Sequence, residues 1–253
     1  MGAILAVFDY TLREHVRRRA WLSTALFGLV LIAGGLVTSV LAADQRARMM
    51  LDLGLAAIEA IGLVTAVFLT VGLVLSEIES RAVFLILTHP VPRWQYLFGR
   101  WLGTLAAVAL GMAGMALLHL ALLAALGWSA GGYGLAWSCS LGSVAMMSAL
   151  SLLLSLALTS EAAAMAFAGF FWLLGHFTAE MSFVADRSGS PFLRGLILVF
   201  ARAAPDFARL DYRDALHGGA AGGAWAAWAA VYALAYCAAC LALAVQLFEQ
   251  KEF

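Results

Sequence analysis

The sequence predicts an all-α polytopic membrane protein: six transmembrane helices, an interfacial helix at the amino terminus, and a helical corner on one membrane face. Three observations lead there. Of 253 residues, 64% are hydrophobic and 12% charged, against roughly 45–50% apolar and about 25% charged in soluble domains. Apolar runs long enough to cross a bilayer recur along the chain, and the charges gather in short stretches between them. The formal net charge is zero, so no global field points to nucleic acid or to a charged ligand, and partners must be inferred locally.

Residues 1–19 read as an interfacial helix. Ile4, Leu5, Phe8, Leu12 and Val16 recur at three-and-four spacing while Arg13 and Arg17 turn away, the pattern of a helix lying among lipid headgroups. Crossing about 30 Å of hydrocarbon takes about 20 mostly apolar residues. Stretches that meet this requirement are read at 21–41, 53–75, 96–126, 134–158, 162–177 and 224–248, the fifth being the shortest. The first exceeds the apolar core of a signal peptide, so the amino terminus is not read as a cleaved leader. Arg13, Arg17, Arg18 and Arg19 crowd the approach to it and set the amino terminus in the cytoplasm, where an even number of spans also returns the carboxyl terminus. Arg46, Arg48 and the arginines of the 178–223 segment fall on the other side.

Further along, Gly103, Ala107, Gly111 and Gly114 share a face of the third span, a surface for close helix packing where lipid supplies no hydrophobic drive. The 178–223 segment reads as an outer loop in which the apolar run 191–200 is too short to cross and forms a re-entrant or surface helix. Trp225 and Trp228 suit an interfacial aromatic belt at the start of the last span, with Tyr232 and Tyr236 deeper. Cys139, Cys237 and Cys240 all lie within apolar runs; without further ligands beside them they read as small packing residues rather than a metal site.

The chain lacks H-E-x-x-H and metal-spaced Cys/His motifs, and no catalytic residue is expected. Its only lysine is Lys251, with no glycine-rich loop before it, so the chain itself has no Walker-type nucleotide site. Glu59, in the middle third of the second span, is the one carboxylate within the expected hydrocarbon zone. An ionisable group there costs about 2.5–3.5 kcal/mol on insertion scales, so it should face the bundle interior or water, either protonated or paired. His119 and His176 are its candidate partners. Two roles stay open for Glu59: a polar or ion-coupling element of a translocation path, or a hydrogen bond between helices.

The longest connection on the side of the amino terminus is 77–95, within "SEIESRAVFLILTHPVPRWQYLFGRWLG". Glu77, Glu79 and Arg81 with Val83, Phe84 and Leu87 suggest a helix leaving the membrane and turning amphipathic. Pro90 and Pro92 end it, because proline removes an amide donor and biases the residue before it to extended geometry. Pro92 also suits the start of the next helix, through Trp94, Tyr96 and Arg100. Such a corner offers an apolar and aromatic edge that either rests on the membrane surface or fits a groove in a partner.

This run resembles the first cytoplasmic loop of bacterial ABC-2 type transporter permeases: acids at Glu77 and Glu79, Arg81, apolar Leu85 and Leu87, Pro90-Val91, Arg93, then Leu97, Arg100 and Gly103. The family commonly has lysine where this chain has Arg100. Six spans, an amino-terminal interfacial helix and a short re-entrant element before the last span are also similar to that family. The resemblance implies a permease subunit in the bacterial cytoplasmic membrane, most like the branch linked to copper-enzyme maturation and gliding motility. It implies a partner ATPase subunit that binds the ATP and magnesium, and a second permease copy or a sister permease. Within it, Glu77, Glu79, Arg81 and Arg93 would make ionic contacts with the ATPase, and Phe84, Leu85, Pro90, Trp94 and Tyr96 the apolar and shape-defining ones. Two other classes remain open: an ion-coupled secondary transporter using Glu59, and a non-transporting scaffold or mechanotransducer driven by a partner ATPase. Discontinuous spans are the mark of the former, and no proline falls inside any of the spans read here.

Overall fold

The structure, a computed structural model, describes residues 2–17, 26–35, 46–79, 92–127, 131–158, 160–212 and 223–250. All regular structure among them is helical. In chain order the elements are α1 (Gly2–Arg17), α2 (Leu26–Gly35), α3 (Arg46–Glu79), α4 (Arg93–Ala125), α5 (Tyr133–Ala157), α6 (Glu161–His176), α7 (Thr178–Arg187), α8 (Pro191–Ala203), a 3-10 turn (Phe207–Leu210) and α9 (Gly223–Gln250).

Among the described residues, four helices are long and apolar enough to cross a membrane: Arg48–Leu75 within α3, all of α4, all of α5, and Trp225–Gln250 within α9. The pair α6 and α7 makes a fifth candidate, bent by 74° where the helices meet at Phe177, which caps both. Of the first expected span, 21–41, only the short helix α2 falls within the described residues. The apolar run at 191–200 does form a short helix, α8, which buries none of its own residues.

α5 is the axis of the bundle. It packs most extensively on α3 along one side and on α9 along another, with α4 against α3. The cause is its run of small residues: Ser140, Ser143, Ser148, Ser151 and Ser155 are all buried, and a short side chain lets backbones approach where no hydrophobic drive acts between helices. The hydroxyls are largely satisfied in place. Ser148 donates to Ala145 O at 2.8 Å and Ser155 to Leu152 O at 2.8 Å, while Trp101 Nε1 of α4 donates to Ser148 Oγ at 2.9 Å.

α1 lies along the first third of α4, against the face the sequence marks with small residues. A β-carbon on Gly99 would meet Val7 Cβ at 2.9 Å, and one on Gly103 would meet Thr11 Cβ at 2.6 Å. At positions 99 and 103 the missing side chains therefore admit α1. Thr11 and His15 turn inward beside Val7, while Leu5 of the apolar stripe is 64% exposed.

Candidate functional site

A cavity of about 390 Å³ lies between α3 and α6. Ala56, Glu59, Ala60 and Leu63, one helical face of α3, form one wall; Trp172 and His176 of α6 form the other; and the segment 207–212 closes the top. Glu59 and His176, 117 positions apart by their numbers, thus line a single space together with Asp211 and Tyr212. Ser140 of α5 donates a hydrogen bond to Glu59 Oε2 at 3.2 Å, which ties the carboxylate to the axial helix. His176 Nδ1 lies 2.9 Å from the Trp172 carbonyl, and because a carbonyl only accepts, the proton sits on Nδ1. The imidazole also packs between Trp172 and Phe207, each with its ring centre 5.0 Å away.

The lid of the cavity is held from α9. The Asp206 amide donates to Tyr232 OH at 2.9 Å, and Tyr236 OH donates to Ala203 O at 2.8 Å. Thr178 Oγ1 donates to Asp206 Oδ1 at 3.0 Å, and Arg209 bridges Asp206 Oδ2 at 2.9 Å. Leu210 then rests on Gly142 of α5, where a β-carbon would meet its Cδ2 at 2.7 Å. Gly175 likewise sits under Pro205 and Phe207 with no room for a side chain. Four helices and a turn thus place Asp211 and Tyr212 on the same cavity as Glu59.

His119 does not line this cavity. It is fully buried, with Nδ1 2.9 Å from Tyr133 OH and Nε2 3.0 Å from the Met50 carbonyl. A neutral ring protonated on Nε2 satisfies both contacts: it donates to Met50 and accepts from Tyr133. Its geometry is that of a bolt joining the start of α3, the end of α4 and the start of α5.

At the opposite end of the bundle, Glu77 and Glu79 fall in the last turn of α3, and Arg81, Phe84, Leu85 and Pro90 lie outside the described residues. Pro92 caps α4, whose first backbone bonds run to its carbonyl from Gln95 at 3.0 Å and Tyr96 at 3.3 Å. Trp94 is 47% exposed and available to a partner. Arg93 is engaged within the chain: its Nη1 donates to Phe248 O and Glu249 O, both at 3.1 Å, and its guanidinium lies 5.9 Å from the Phe248 ring centre. It thereby satisfies carbonyls that the end of α9 would leave unpaired. Tyr96, expected at the partner surface, points inward at 4% exposure and stacks on Phe248 at 6.2 Å.

One cluster has no counterpart in the sequence reading. Arg100 is 3% exposed and donates from Nη1 to Thr11 Oγ1 at 2.9 Å and to Glu14 Oε2 at 3.3 Å, with Tyr10 and Tyr96 rings at 5.3 and 5.9 Å. His15 Nε2 lies 3.2 Å from Thr104 Oγ1 beside it. A polar side chain every third or fourth residue on one face of α1 was the available signal. Asp211, Tyr212, Trp172 and Ser140 were missed as well, the first two because nothing local marks a turn that folds back on a distant helix. Among the described residues no group of His, Cys, Asp and Glu is disposed to hold a metal ion.

Comparison with known protein families matches none of them, and no curated protein matches the chain. The class that can be stated is therefore structural: an all-helical protein whose apolar helices suit a membrane.

Proposed function

We propose that the chain is the permease subunit of an ATP-driven ABC transporter of the ABC-2 type, an exporter in the bacterial cytoplasmic membrane with both termini in the cytoplasm. A separate nucleotide-binding subunit supplies ATP hydrolysis, and a second copy or a sister permease completes the membrane part. The observation that carries this reading is the run from Glu77 to Gly103 in a chain whose one lysine is Lys251: a coupling-loop pattern without a nucleotide site of its own.

The geometry around the root of that loop supports it. α4 begins immediately after the corner, and within its first eight residues it is tied to α9 through Arg93 and to α1 through Arg100. A push delivered at 80–91 therefore reaches three helices at once, which suits a device that rocks a bundle between two states. The Glu59 cavity, between helices that touch less extensively than α3 and α5 do, offers room for cargo.

The test is co-purification with the ATPase encoded beside the chain. Arg81→Glu and Trp94→Ala are expected to abolish assembly, and a fully active ATPase complex from both variants would sink the assignment. Glu59→Gln is expected to assemble normally yet alter transport or coupled ATPase activity.

A further inference from the structure

α7 and α8 pack on each other as a hairpin, and α8 buries none of its own residues. On α8, Phe192, Leu196 and Phe200 follow one another at a spacing of four, with Val199 beside them. That face is left open: Phe192 is 80% exposed and Val199 is exposed as well. At about 100° per residue, Arg194 and Arg202 fall on the opposite side of the helix, Arg194 paired with Asp186 of α7 at 3.1 Å.

The depth of this hairpin follows from α6, which runs antiparallel to α3. A β-carbon on Gly72 would meet Glu161 Oε1 at 3.3 Å, whereas His176, at the far end of α6, shares a cavity wall with Ala56 and Glu59. α6 thus stops at the level of Ala56, about 12 Å short of Arg48, where the candidate span in α3 begins. That span has 28 residues and is about 42 Å long against about 30 Å of hydrocarbon, so about 6 Å is left over at each end. The joint at Phe177 therefore falls about 6 Å inside the hydrocarbon edge, and there the chain turns by 74°, nearly into the plane of the leaflet.

The rotation of α8 is set by a ring contact. Phe200 meets Phe170 of α6 with ring centres 6.3 Å apart, and Phe170 lies about two turns nearer the middle of the membrane than Phe177 does. The apolar face of α8 is thus turned toward acyl chains and its arginines toward headgroups. It continues the exposed side of α6, which carries Phe167 and Phe170. A helix that lies in the interface sinks its apolar face about 5–10 Å, which matches the depth of the joint.

We propose that α7 and α8 are an in-plane lipid anchor. The acyl chains of the leaflet at the Arg48 end of α3 cover Phe192, Leu196 and Val199, and lipid phosphates meet Arg194 and Arg202. The anchor runs directly into the lid of the Glu59 cavity: Ala203 O accepts from Tyr236, and Pro205 and Phe207 sit on Gly175. Lipid therefore helps to hold the lid at its depth. This goes beyond the permease reading and needs only a bilayer around the apolar helices.

The experiment places a nitroxide on the full chain at Phe192→Cys, Leu196→Cys, Val199→Cys, Gly195→Cys or Arg202→Cys, in vesicles of phosphatidylethanolamine and phosphatidylglycerol. A β-carbon on Gly195 meets nothing within 4 Å, and the wild-type chain, whose Cys139, Cys237 and Cys240 are buried, sets the labelling background. Power saturation with oxygen and with a water-soluble nickel chelate then reports depth. Labels at 192, 196 and 199 are expected about 5–10 Å below the phosphates, and those at 195 and 202 at the phosphate level. Nickel access at all five positions overturns the proposal, because the hairpin then stands in water. Low access to both reagents at 192 and 196 also overturns it, as the mark of a protein cover such as a second copy. A label at 196 near the bilayer centre does so too, as the mark of a loop that penetrates. Leu196→Asp is expected to speed amide exchange at 203–210 in the same vesicles, and unchanged exchange there overturns the link to the lid. No ATPase is present, so these results stand apart from assembly with one.

Discussion

Position 54 offers a sharp test of how the bundle is bolted together. A β-carbon on Gly54 would fall against the His119 imidazole, 2.6 Å from Cδ2 and closer still to Nε2 and Cε1. On an unencumbered helix, Gly→Ala stabilises by about 1 kcal/mol. Here the methyl group must displace a ring with no exposure, held by contacts of 2.9 and 3.0 Å. Overpacking of this kind costs about 1–3 kcal/mol, and a lost hydrogen bond about 1 kcal/mol more. We expect Gly54→Ala to destabilise by about 2 kcal/mol once the helix gain is subtracted. In a His119→Ala background the obstacle is gone and the same substitution should stabilise by about 1 kcal/mol. The difference, about 3 kcal/mol, is a coupling energy that independent sites do not show. The four proteins of this cycle would be unfolded reversibly in mixed micelles of rising dodecyl sulfate fraction and followed by helical circular dichroism. A stabilising Gly54→Ala in the wild-type background, or an additive cycle, refutes the placement of the ring and frees His119 for a role in the translocation path.

Arg93→Ala should fray the end of α9, because two carbonyl contacts and a ring contact are lost at a half-exposed site worth about 1 kcal/mol; amide exchange across 245–250 that stays at the wild-type rate would refute this. Arg100→Met should destabilise by about 3 kcal/mol, since it strips Glu14 of its buried partner, while Arg100→Met with Glu14→Leu should lie nearer the wild type; thermal unfolding that ranks the double variant below the single one contradicts the pairing. Tyr232→Phe and Tyr236→Phe each remove one bond to 203–206, about 1 kcal/mol apiece. Their expected signature is faster amide exchange at the lid of the Glu59 cavity with α9 itself unchanged, and a lid that exchanges no faster would show that it is held by other means.

The class of protein was legible because it depends on transfer free energy, which is local and additive along the chain. Runs of apolar residues longer than about 20 became α3, α4, α5 and α9, and the short run at 191–200 became α8. Pro92 was legible as the start of a helix because its ring presets the backbone and its carbonyl receives the first bonds of α4. The fifth expected span, 162–177, ends where α6 does, at Phe177, but the 74° angle at which α7 follows it was not legible, since no proline marks the joint.

Glu59 was marked by its cost in hydrocarbon, and His176 by being an ionisable group in the same zone, yet their common cavity depends on how α3 and α6 are rotated about their axes. In a soluble helix the polar face announces that rotation. In a membrane helix nearly every face is apolar, and the inward one is chosen by small residues and a few hydrogen bonds. Composition and periodicity alone therefore determine which stretches of this chain suit lipid and where the chain must turn. Only the tertiary structure decides that Ser140 meets Glu59, that His119 bolts three helices while His176 lines a cleft, and that Arg93 and Tyr96 serve the bundle itself. Those pairings join residues far apart in sequence across faces whose transfer energies hardly differ.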